Sequence, residues 1–335
     1  MATLITGAGG YVGLNIAEAL LAQGREVVLF DAQPLPELAV RALARHPGRW
    51  HSAAGDVRDA AALDQACGAA PVDGVIHCAA ITSGPDREAR EPGRVFEVNI
   101  GGTIAVLEAA RRHGVRRCVL ASSGAAYGES LYVGPLMQEE ATPVLPNTLY
   151  GCSKYAAERT ARRLAELWKL DVVAARLGTL IGPWERDTGV RDNFGPHSQL
   201  ARLALAGAEA VLPAQELTRD WVYSRDVAAG FVALLDAPSH EHFVYNLSAG
   251  IDWTGAVVRW CERLAQAFPA FRHRTARAGE TPGIHYTDRA RFPMDVSRLK
   301  TDIGYRAPHT IDAAYDDFIA WLKADGAAWF APRGA

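Results

Sequence analysis

Short apolar runs recur along the first half of the chain, and longer stretches with helical spacing separate them. The runs predict β-strands at residues 2–6, 26–31, about 49–54, 74–79, 116–122 and 171–177. The intervening stretch 94–113 predicts an amphipathic helix, because it repeats apolar residues at helical spacing, at Val95, Val98, Ala105, Val106 and Ala109. Strands that alternate with helices in this way predict an α/β fold with a doubly wound parallel sheet.

The second half of the chain has a less regular pattern. Helices are predicted near residues 200–207, 227–236, 254–267 and 310–323. Between about 184 and 199 the sequence is polar, contains glycine and has no clear period. Long irregular segments in compact domains are often binding loops, so this segment is a candidate part of a site. Residues 324–335 are expected to form a loosely attached tail.

Bulk properties narrow the functional class. The 335 residues carry a net charge of −3 and no long basic run, so a nucleic-acid partner is not expected. No apolar stretch is long enough to span a membrane, and Met1 leads directly into the first predicted strand, which leaves no room for a signal peptide. The five cysteines show no C-x-x-C spacing, so we expect reduced thiols, a cytoplasmic protein and no metal site.

A glycine-rich turn joins the first strand to the first helix, in the sequence Gly7-Ala-Gly-Gly10-Tyr11-Val12-Gly13. Glycines here allow a tight turn and close approach of the backbone to a pyrophosphate, and the helix N-terminus offers N–H groups to it. A tight turn without a ligand is the alternative. Asp31 ends the second strand about 20 residues later, where a carboxylate accepts hydrogen bonds from ribose hydroxyls. It would repel a 2′-phosphate, so we expect NAD rather than NADP.

Tyr150 and Lys154 are the strongest catalytic candidates. Residues four apart lie on one face of a helix, and a neighbouring ammonium group favours the phenolate form of a tyrosine. The phenol can then act as a general base or acid. An ordinary surface contact is the alternative.

These motifs together resemble the extended short-chain dehydrogenases/reductases of the NAD-dependent epimerase/dehydratase family. Thr6–Gly13 is similar to the family's T-G-x-x-G-x-x-G, and Tyr150 and Lys154 to its Y-x-x-x-K pair. Segments at 55–59, 75–80, 98–103, 121–128, 176–183 and 219–227 also match family signatures. The resemblance implies a Rossmann-type domain at 1–178, a smaller C-terminal substrate lobe at 179–323 with some elements returning to the core, and a homodimer formed through helices 94–113 and 150–168.

The resemblance also implies the site residues. NAD would contact Gly7, Gly10, Tyr11, Val12, Asp31, Asp56, Val57, Ala79, Ala80, Asn99, Tyr150, Lys154 and Leu177. A carbohydrate-type small molecule would contact Ser83, Ser123, Thr179 and Arg219. Tyr150 would take the proton of a secondary hydroxyl, Lys154 would hold the nicotinamide ribose, and Ser123 would orient the substrate oxygen.

Departures from the family pattern bear on the reaction. The two residues after Ser123 are Gly124 and Ala125, where 4,6-dehydratases typically include Asp or Glu, so water elimination is disfavoured. Thr179 replaces an asparagine usual in nucleotide-sugar enzymes, and the Leu212–Gln215 segment departs as well. These features favour, by a small margin, a sugar or sugar-acid dehydrogenase, with Arg219 binding a carboxylate or diphosphate. A nucleotide-sugar epimerase is the close alternative, and a non-catalytic NAD-binding protein is a remote one.

Overall fold

A seven-stranded parallel sheet forms the centre of the computed structural model, which describes residues 1–331 except 193, 217, 252, 254 and 285–288. In chain order the strands are β1 Ala2–Thr6, β2 Glu26–Asp31, β3 Arg49–Ala54, β4 Val72–His77, β5 Arg117–Ser123, β6 Asp171–Leu177, β7 Thr179–Ile181, β8 Glu209–Leu212, β9 Trp221–Tyr223, β10 Val244–Leu247 and β11 Arg272–Thr275. The large sheet has the order β10-β6-β5-β4-β1-β2-β3. The predicted doubly wound α/β fold is therefore confirmed.

Helices cover both faces of the sheet. They are α1 Tyr11–Ala22, α2 Glu37–Leu43, α3 Ala60–Gly68, α4 Pro85–Arg90, α5 Pro92–Phe96, α6 Gly102–Arg112, α7 Leu149–Trp168, α8 Pro196–Leu205, α9 Ser224–Asp236, α10 Ala256–Ala267, α11 Ser297–Asp302, α12 Ile311–Trp321 and α13 Ala327–Trp329. A π-helical turn, Glu97–Gly101, joins α5 to α6. No helix among the described residues is both long and apolar enough to cross a membrane.

The strands β1, β2, β4, β5 and β6 at the centre of the sheet are mostly buried and carry runs of apolar residues, as expected for a sheet covered on both sides. Successive side chains point to opposite faces. Ile5 and Ile76 belong to the core under α1 and α9, whereas Leu4 and Val75 belong to the core under α3, α6 and α7. Register pairs Ile5 with Leu29 and with Ile76, which aligns the carboxyl ends of β1, β2 and β4 at one edge.

The C-terminal half divides its elements between the sheet and a smaller lobe. β10 completes the sheet beside β6, and α9 packs against α1. The lobe contains the parallel pairs β7–β9 and β8–β11 together with α8, α10 and α12. This arrangement places the lobe over the carboxyl edge of the sheet, where ligands bind in open α/β folds.

The expectation of a loose C-terminal tail is wrong for residues 324–331. Asp325 is buried and accepts two hydrogen bonds from Arg45, at 2.9 and 3.0 Å. Trp329 is also buried and packs edge-on against Trp184, with 4.8 Å between the ring centroids. Two tryptophans in distant segments carry no periodic signal, so the sequence pattern did not predict this packing. Residues 332–335 lie outside the described part of the chain.

Candidate active site

A cleft of about 780 Å³ runs along the carboxyl edge of the sheet between the two halves of the molecule. Fifteen of the predicted site residues line it: Gly7, Gly10, Tyr11, Val12, Asp31, Asp56, Val57, Ala79, Ala80, Ser83, Ser123, Tyr150, Lys154, Leu177 and Thr179. Two do not, Asn99 and Arg219. The cleft has a cofactor half, over β1 to β4, and a substrate half, between Tyr150 and the C-terminal lobe.

The glycine turn has the shape that a dinucleotide requires. Gly7 has φ 67°, and a Cβ there would lie 2.6 Å from the Ala79 nitrogen. A Cβ on Gly13 would lie 2.2 Å from the Gly7 carbonyl oxygen. Helix α1 begins immediately after Gly10, so its free N–H groups face the cleft. The turn therefore fits the pyrophosphate of NAD at a helix N-terminus.

The carboxylates of the cofactor half are held in place by local hydrogen bonds. Asp31 accepts from the Gly9 nitrogen at 2.9 Å and from the Gln33 nitrogen at 3.0 Å, which fixes its side chain at the end of β2. Asp56 forms a two-point ion pair with Arg58, at 2.7 and 3.0 Å, and this contact lowers the pKa of the Asp56 carboxyl. Both positions suit the adenosine end of NAD.

Asn99 fixes the wall of the cleft from behind. Its amide donates to the Ile81 carbonyl oxygen at 3.0 Å and to the Ser153 hydroxyl at 2.8 Å, and its Oδ1 accepts from the Ile81 nitrogen at 2.7 Å. It is buried and has no place on the cleft surface. Asn99 therefore has a structural role, joining the loop after β4 to helix α7, and its contact with NAD stays a prediction.

Helix α7 presents Tyr150 and Lys154 to the junction of the two halves. The Thr148 hydroxyl caps the helix by accepting from the Gly151 nitrogen at 3.0 Å. Lys154 is buried, and its Nζ donates to the Ala121 carbonyl oxygen at 2.7 Å and lies 5.9 Å from the centre of the Tyr150 ring. The two predicted catalytic side chains are thus neighbours, and the ammonium is anchored beside the phenol.

Ser123 ends β5 on the opposite wall. Its hydroxyl accepts from the Ala125 nitrogen at 3.1 Å, which leaves the hydroxyl proton free to be donated into the cleft. The neighbouring Ser122 instead donates to Glu158, which is itself paired with Arg176 at 2.7 Å beneath the helix. This buried network holds the ends of β5 and β6 against α7. Both serines line the cleft, and the role of Ser123 in orienting a substrate stays a prediction.

Beneath the cofactor half, His77 is enclosed by two hydroxyls. Its ring nitrogens lie 2.7 Å from the Thr6 hydroxyl and 3.1 Å from the Thr103 hydroxyl. Burial, with a smaller effect of Lys154, lowers the pKa of His77 to about 3. The imidazole is therefore neutral at physiological pH and ties β1, β4 and α6 together.

Arg219 is not placed where the sequence prediction expected it. Its side chain is buried below the cleft, and its guanidinium lies 5.9 Å from the centre of the Trp221 ring. The arginines that line the cleft are Arg94, Arg186, Arg191 and Arg291. Arg191 is paired with Glu185 at 2.6 Å, while Arg291, in the substrate half, has a buried Nε with no hydrogen-bond partner in the described structure. Arg291 is the better-placed cation for a substrate anion.

The segment of residues 184–192, here called the strap, lies across the cofactor half. At one end, Arg186 donates to the Gly9 carbonyl oxygen at 3.3 Å. At the other, Arg87 of α4 binds Asp192 through two nitrogens and donates to the Gly189 carbonyl oxygen at 2.8 Å. The strap is thus fixed to both loops between which NAD would lie. The irregular sequence pointed to this segment, but not to its contact with Arg87.

An aromatic anchor holds the strap from outside. Trp184 is fully buried with φ 76°, a conformation that is strained for a bulky residue. Its Nε1 donates to Glu18 at 2.7 Å, and its ring meets those of Trp321 and Trp329 edge-on at 5.2 and 4.8 Å. The Trp329 Nε1 donates to the Glu185 carbonyl oxygen at 3.2 Å. These contacts offset the backbone strain and position the strap.

Asp220 lies at the floor of the substrate half, a role that the sequence did not suggest. Its carboxylate accepts from the Met294 nitrogen at 2.9 Å and the Gly250 nitrogen at 3.1 Å. Burial raises the pKa of Asp220 to about 6. The carboxylate therefore joins two loops of the C-terminal lobe, including the loop that carries Met294 into the cleft.

Comparisons with known proteins agree with this site. The sequence model of the NAD dependent epimerase/dehydratase family matches residues 3–248. A UDP-glucose 4-epimerase from Streptomyces lividans is 31% identical over 294 residues, covering 84% of this chain and 86% of that protein. A dTDP-glucose 4,6-dehydratase from Mycolicibacterium smegmatis is 26% identical over 339 residues, covering 98% and 95%.

A solved structure shares the fold along the whole chain. The UDP-glucose 4-epimerase of Bifidobacterium longum, in complex with NAD⁺ and UDP, has a TM-score of 0.79 and 22% identity, covering 98% of this chain and 99% of that one. The family match, the glycine turn that fits a pyrophosphate and the Tyr150–Lys154 pair lead to one conclusion. The chain belongs to the NAD-dependent epimerase/dehydratase family of extended short-chain dehydrogenases/reductases, and its cofactor is NAD.

Proposed function

We propose that this protein is a nucleotide-sugar epimerase that inverts a secondary alcohol of the sugar ring by oxidising and then re-reducing it. This is the alternative that the sequence analysis placed second. The curated relatives that support it include UDP-glucose 4-epimerases, one of which is 31% identical over most of both chains. NAD held on the glycine turn would supply the hydride acceptor for the oxidation and the hydride for the re-reduction.

The observation that carries this choice is the fixed strap over the cofactor half. An epimerase must keep the reduced cofactor bound until the hydride is returned, whereas a dehydrogenase must release it. The strap contacts Gly9 on one side and α4 on the other, and Arg87, with a side chain only 12% exposed, secures the second contact. Such an enclosure slows the exchange of the cofactor and favours repeated turnover on one bound molecule.

The side chains of the junction perform the proton chemistry. Tyr150 takes the proton of the sugar hydroxyl and gives it back in the second half of the reaction. Lys154 is anchored on the Ala121 carbonyl oxygen beside Tyr150, where it would hold the nicotinamide ribose. Ser123 donates to the same sugar oxygen and orients it. Gly124 and Ala125 supply neither an acid nor a base, so no water is eliminated.

The test is to incubate the purified protein with UDP-glucose, UDP-galactose and dTDP-glucose without added NAD. We expect one hexose pair to interconvert, seen by chromatography or NMR, with no accumulation of free NADH. A dehydrated keto-sugar as the main product would contradict the proposal.

Net dehydrogenation of a sugar or sugar acid is the second candidate. It is favoured by Thr179, which lines the cleft where nucleotide-sugar enzymes usually carry asparagine. Stoichiometric NADH release with a sugar acid, and no epimer from any nucleotide sugar, would establish this reaction instead.

We also propose a homodimer formed through α6 and α7. Leu167, near the end of α7, is 56% exposed, and Arg111 of α6 lies 5.2 Å from the centre of the Trp168 ring beside it. Light scattering should give twice the mass of one chain. The five cysteines are all free, which supports the cytoplasm as the site of action.

A further inference from the structure

Met294 fills the space that a side chain at position 124 would need. Gly124 follows Ser123 directly, and a Cβ built on it would lie 2.4 Å from the Met294 Cε and 3.2 Å from the Leu177 carbonyl oxygen. Met294 and Gly124 both line the substrate half of the cleft. The terminal methyl group of Met294 therefore rests on the backbone of Gly124, next to the serine that orients the substrate.

Contacts on both sides hold the Met294 backbone in place. Its nitrogen donates to Asp220 at 2.9 Å. The neighbouring Pro293 carbonyl oxygen accepts from the Met137 nitrogen at 2.9 Å, and the Asp295 nitrogen donates to the Met137 carbonyl oxygen at 2.8 Å. The side chain packs with Tyr127, Leu131 and Met137 and is 3% exposed. A methionine is flexible in isolation, but here its position is set by the backbone and by packed neighbours.

The chemistry of the proposed reaction gives this contact a role, and the argument rests on the proposed function. When a ring hydroxyl is oxidised to a carbonyl, the hydrogens on the two adjacent carbons become acidic. A base or a water molecule beside Ser123 could remove one of these protons, and the hydroxyl on the next carbon would then leave as water. A thioether is neither base nor acid, and the packed methyl group excludes water from the same space.

We propose that Met294 is a specificity-determining residue, which seals the space above Gly124 so that the keto-sugar is re-reduced and not dehydrated or released. Gly124 is its necessary partner, because any side chain there would push the Met294 methyl group into the volume that the sugar occupies. The pair sets the outcome of the reaction without taking part in proton transfer.

The first experiment is a double-mutant cycle on this pair. Gly124→Ala, Met294→Ala and the double variant are compared with the native protein by calorimetric titration with UDP-glucose. Gly124→Ala alone should weaken binding about tenfold, the size expected for overpacking, while the double variant should bind within about threefold of Met294→Ala. Gly68→Ala is the matched control, because a Cβ there has no neighbour within 4 Å.

The second experiment measures the products. Met294→Ala should raise the ratio of keto-sugar or dehydrated sugar to epimer about tenfold, and enzyme-bound NADH should accumulate, seen by its absorbance. Met294→Leu, which restores the volume, should return the ratio to near the native value. Leu264→Ala is the control, because it removes a fully buried side chain that neither lines the cleft nor belongs to the Met294 cluster.

The outcomes separate this inference from the function on which it rests. If the native protein epimerises UDP-glucose but the two substitutions act additively and the product ratio is unchanged, Met294 is a packing residue only and the inference is overturned. If the native protein neither binds nor epimerises UDP-glucose, UDP-galactose or dTDP-glucose, the proposed function fails and the inference fails with it.

Discussion

The two halves of the cleft are built in different ways. The cofactor half is formed mainly by backbone at the ends of consecutive strands, with Gly7, Asp31, Val57 and Ala79 following β1 to β4 in turn. The substrate half is formed by side chains from separate segments of the C-terminal lobe. A site formed by backbone tolerates few changes of shape, whereas a site formed by side chains can be altered one residue at a time. The comparison predicts that small backbone changes in the cofactor half strongly reduce NAD binding. Side-chain changes in the substrate half should have graded effects on the reaction.

The largest effect is expected where the two halves meet. Tyr150→Phe removes the proton carrier and keeps the ring, so turnover should fall by at least about 100-fold, the usual size for a general acid–base group. NAD affinity, measured by fluorescence titration, should stay within a few fold. Tyr155→Phe on the same helix is the control, because Tyr155 does not line the cleft. Near-native turnover of Tyr150→Phe would remove Tyr150 from the mechanism.

Adding a single methyl group to the glycine turn of the cofactor half should have the next largest effect, on NAD affinity. Gly13→Ala places a Cβ 2.2 Å from the Gly7 carbonyl oxygen, which is backbone and cannot move aside without opening the turn. NAD affinity should fall by roughly 5- to 150-fold, since overpacking of the turn that holds the cofactor costs about 1–3 kcal/mol. The measurement is calorimetric titration with NAD. An alanine at Gly68, with open space around it, should leave the affinity unchanged, and equal effects of the two changes would contradict the comparison.

Loosening the strap should have a smaller effect, on the rate at which NAD dissociates. Arg87→Ala removes the contacts to Asp192 and Gly189, so NAD should dissociate about three- to tenfold faster, because charged hydrogen bonds of this kind are worth roughly 1.5–3 kcal/mol before the discount for partial exposure. Stopped-flow displacement measures the rate. Arg90→Ala on the same helix is the control, since Arg90 is 67% exposed and does not contact the strap. Equal rates in the two variants would mean that the strap does not retain the cofactor.

The smallest effect is on stability: buried groups in the two halves should make the free energy of unfolding change with pH in opposite directions. Burial lowers the pKa of His77 to about 3, so between pH 3 and 6.5 the folded protein binds fewer protons than the unfolded chain, and this group makes stability rise with pH. Burial raises the pKa of Asp220 to about 6 from 3.8, so between those values its contribution is lost as pH rises.

Urea unfolding between pH 5 and 6 should reveal the two slopes. His77→Asn should leave the free energy of unfolding falling more steeply with pH than in the native protein, and Asp220→Asn should do the opposite. Each change is at most about 1.4 kcal/mol per pH unit. Slopes that are identical in all three proteins would show that neither group titrates as its burial predicts.

The difference between the two halves of the cleft also explains which features could be predicted from the sequence. The sheet, the glycine turn, Asp31 and the Tyr150–Lys154 pair are local patterns, and each was predicted within a few residues of its observed place. Asn99 was correctly placed near the site, but its contacts with Ile81 and Ser153 depend on packing between helices that no spacing encodes.

The substrate half was harder to predict because its residues meet only in three dimensions. Arg219 has the charge that a substrate anion needs, but it is buried and does not line the cleft, whereas Arg291 lines the cleft from an irregular loop. Met294 carries no sequence signal at all, since an isolated methionine is usually a packing residue. The sequence did not predict these parts of the site, because their chemistry depends on contacts between residues far apart in the chain.

The aromatic anchor has a consequence for how the protein is made. The strap is held by Trp184, whose ring is enclosed by Trp321 and Trp329. On a ribosome that adds about 5–20 residues per second, Trp329 is joined to the chain roughly 15–60 seconds after the glycine turn. During that interval the strap can form its contacts with Gly9 and Arg87, but its aromatic anchor is incomplete. The strap is thus fully anchored only near the end of synthesis.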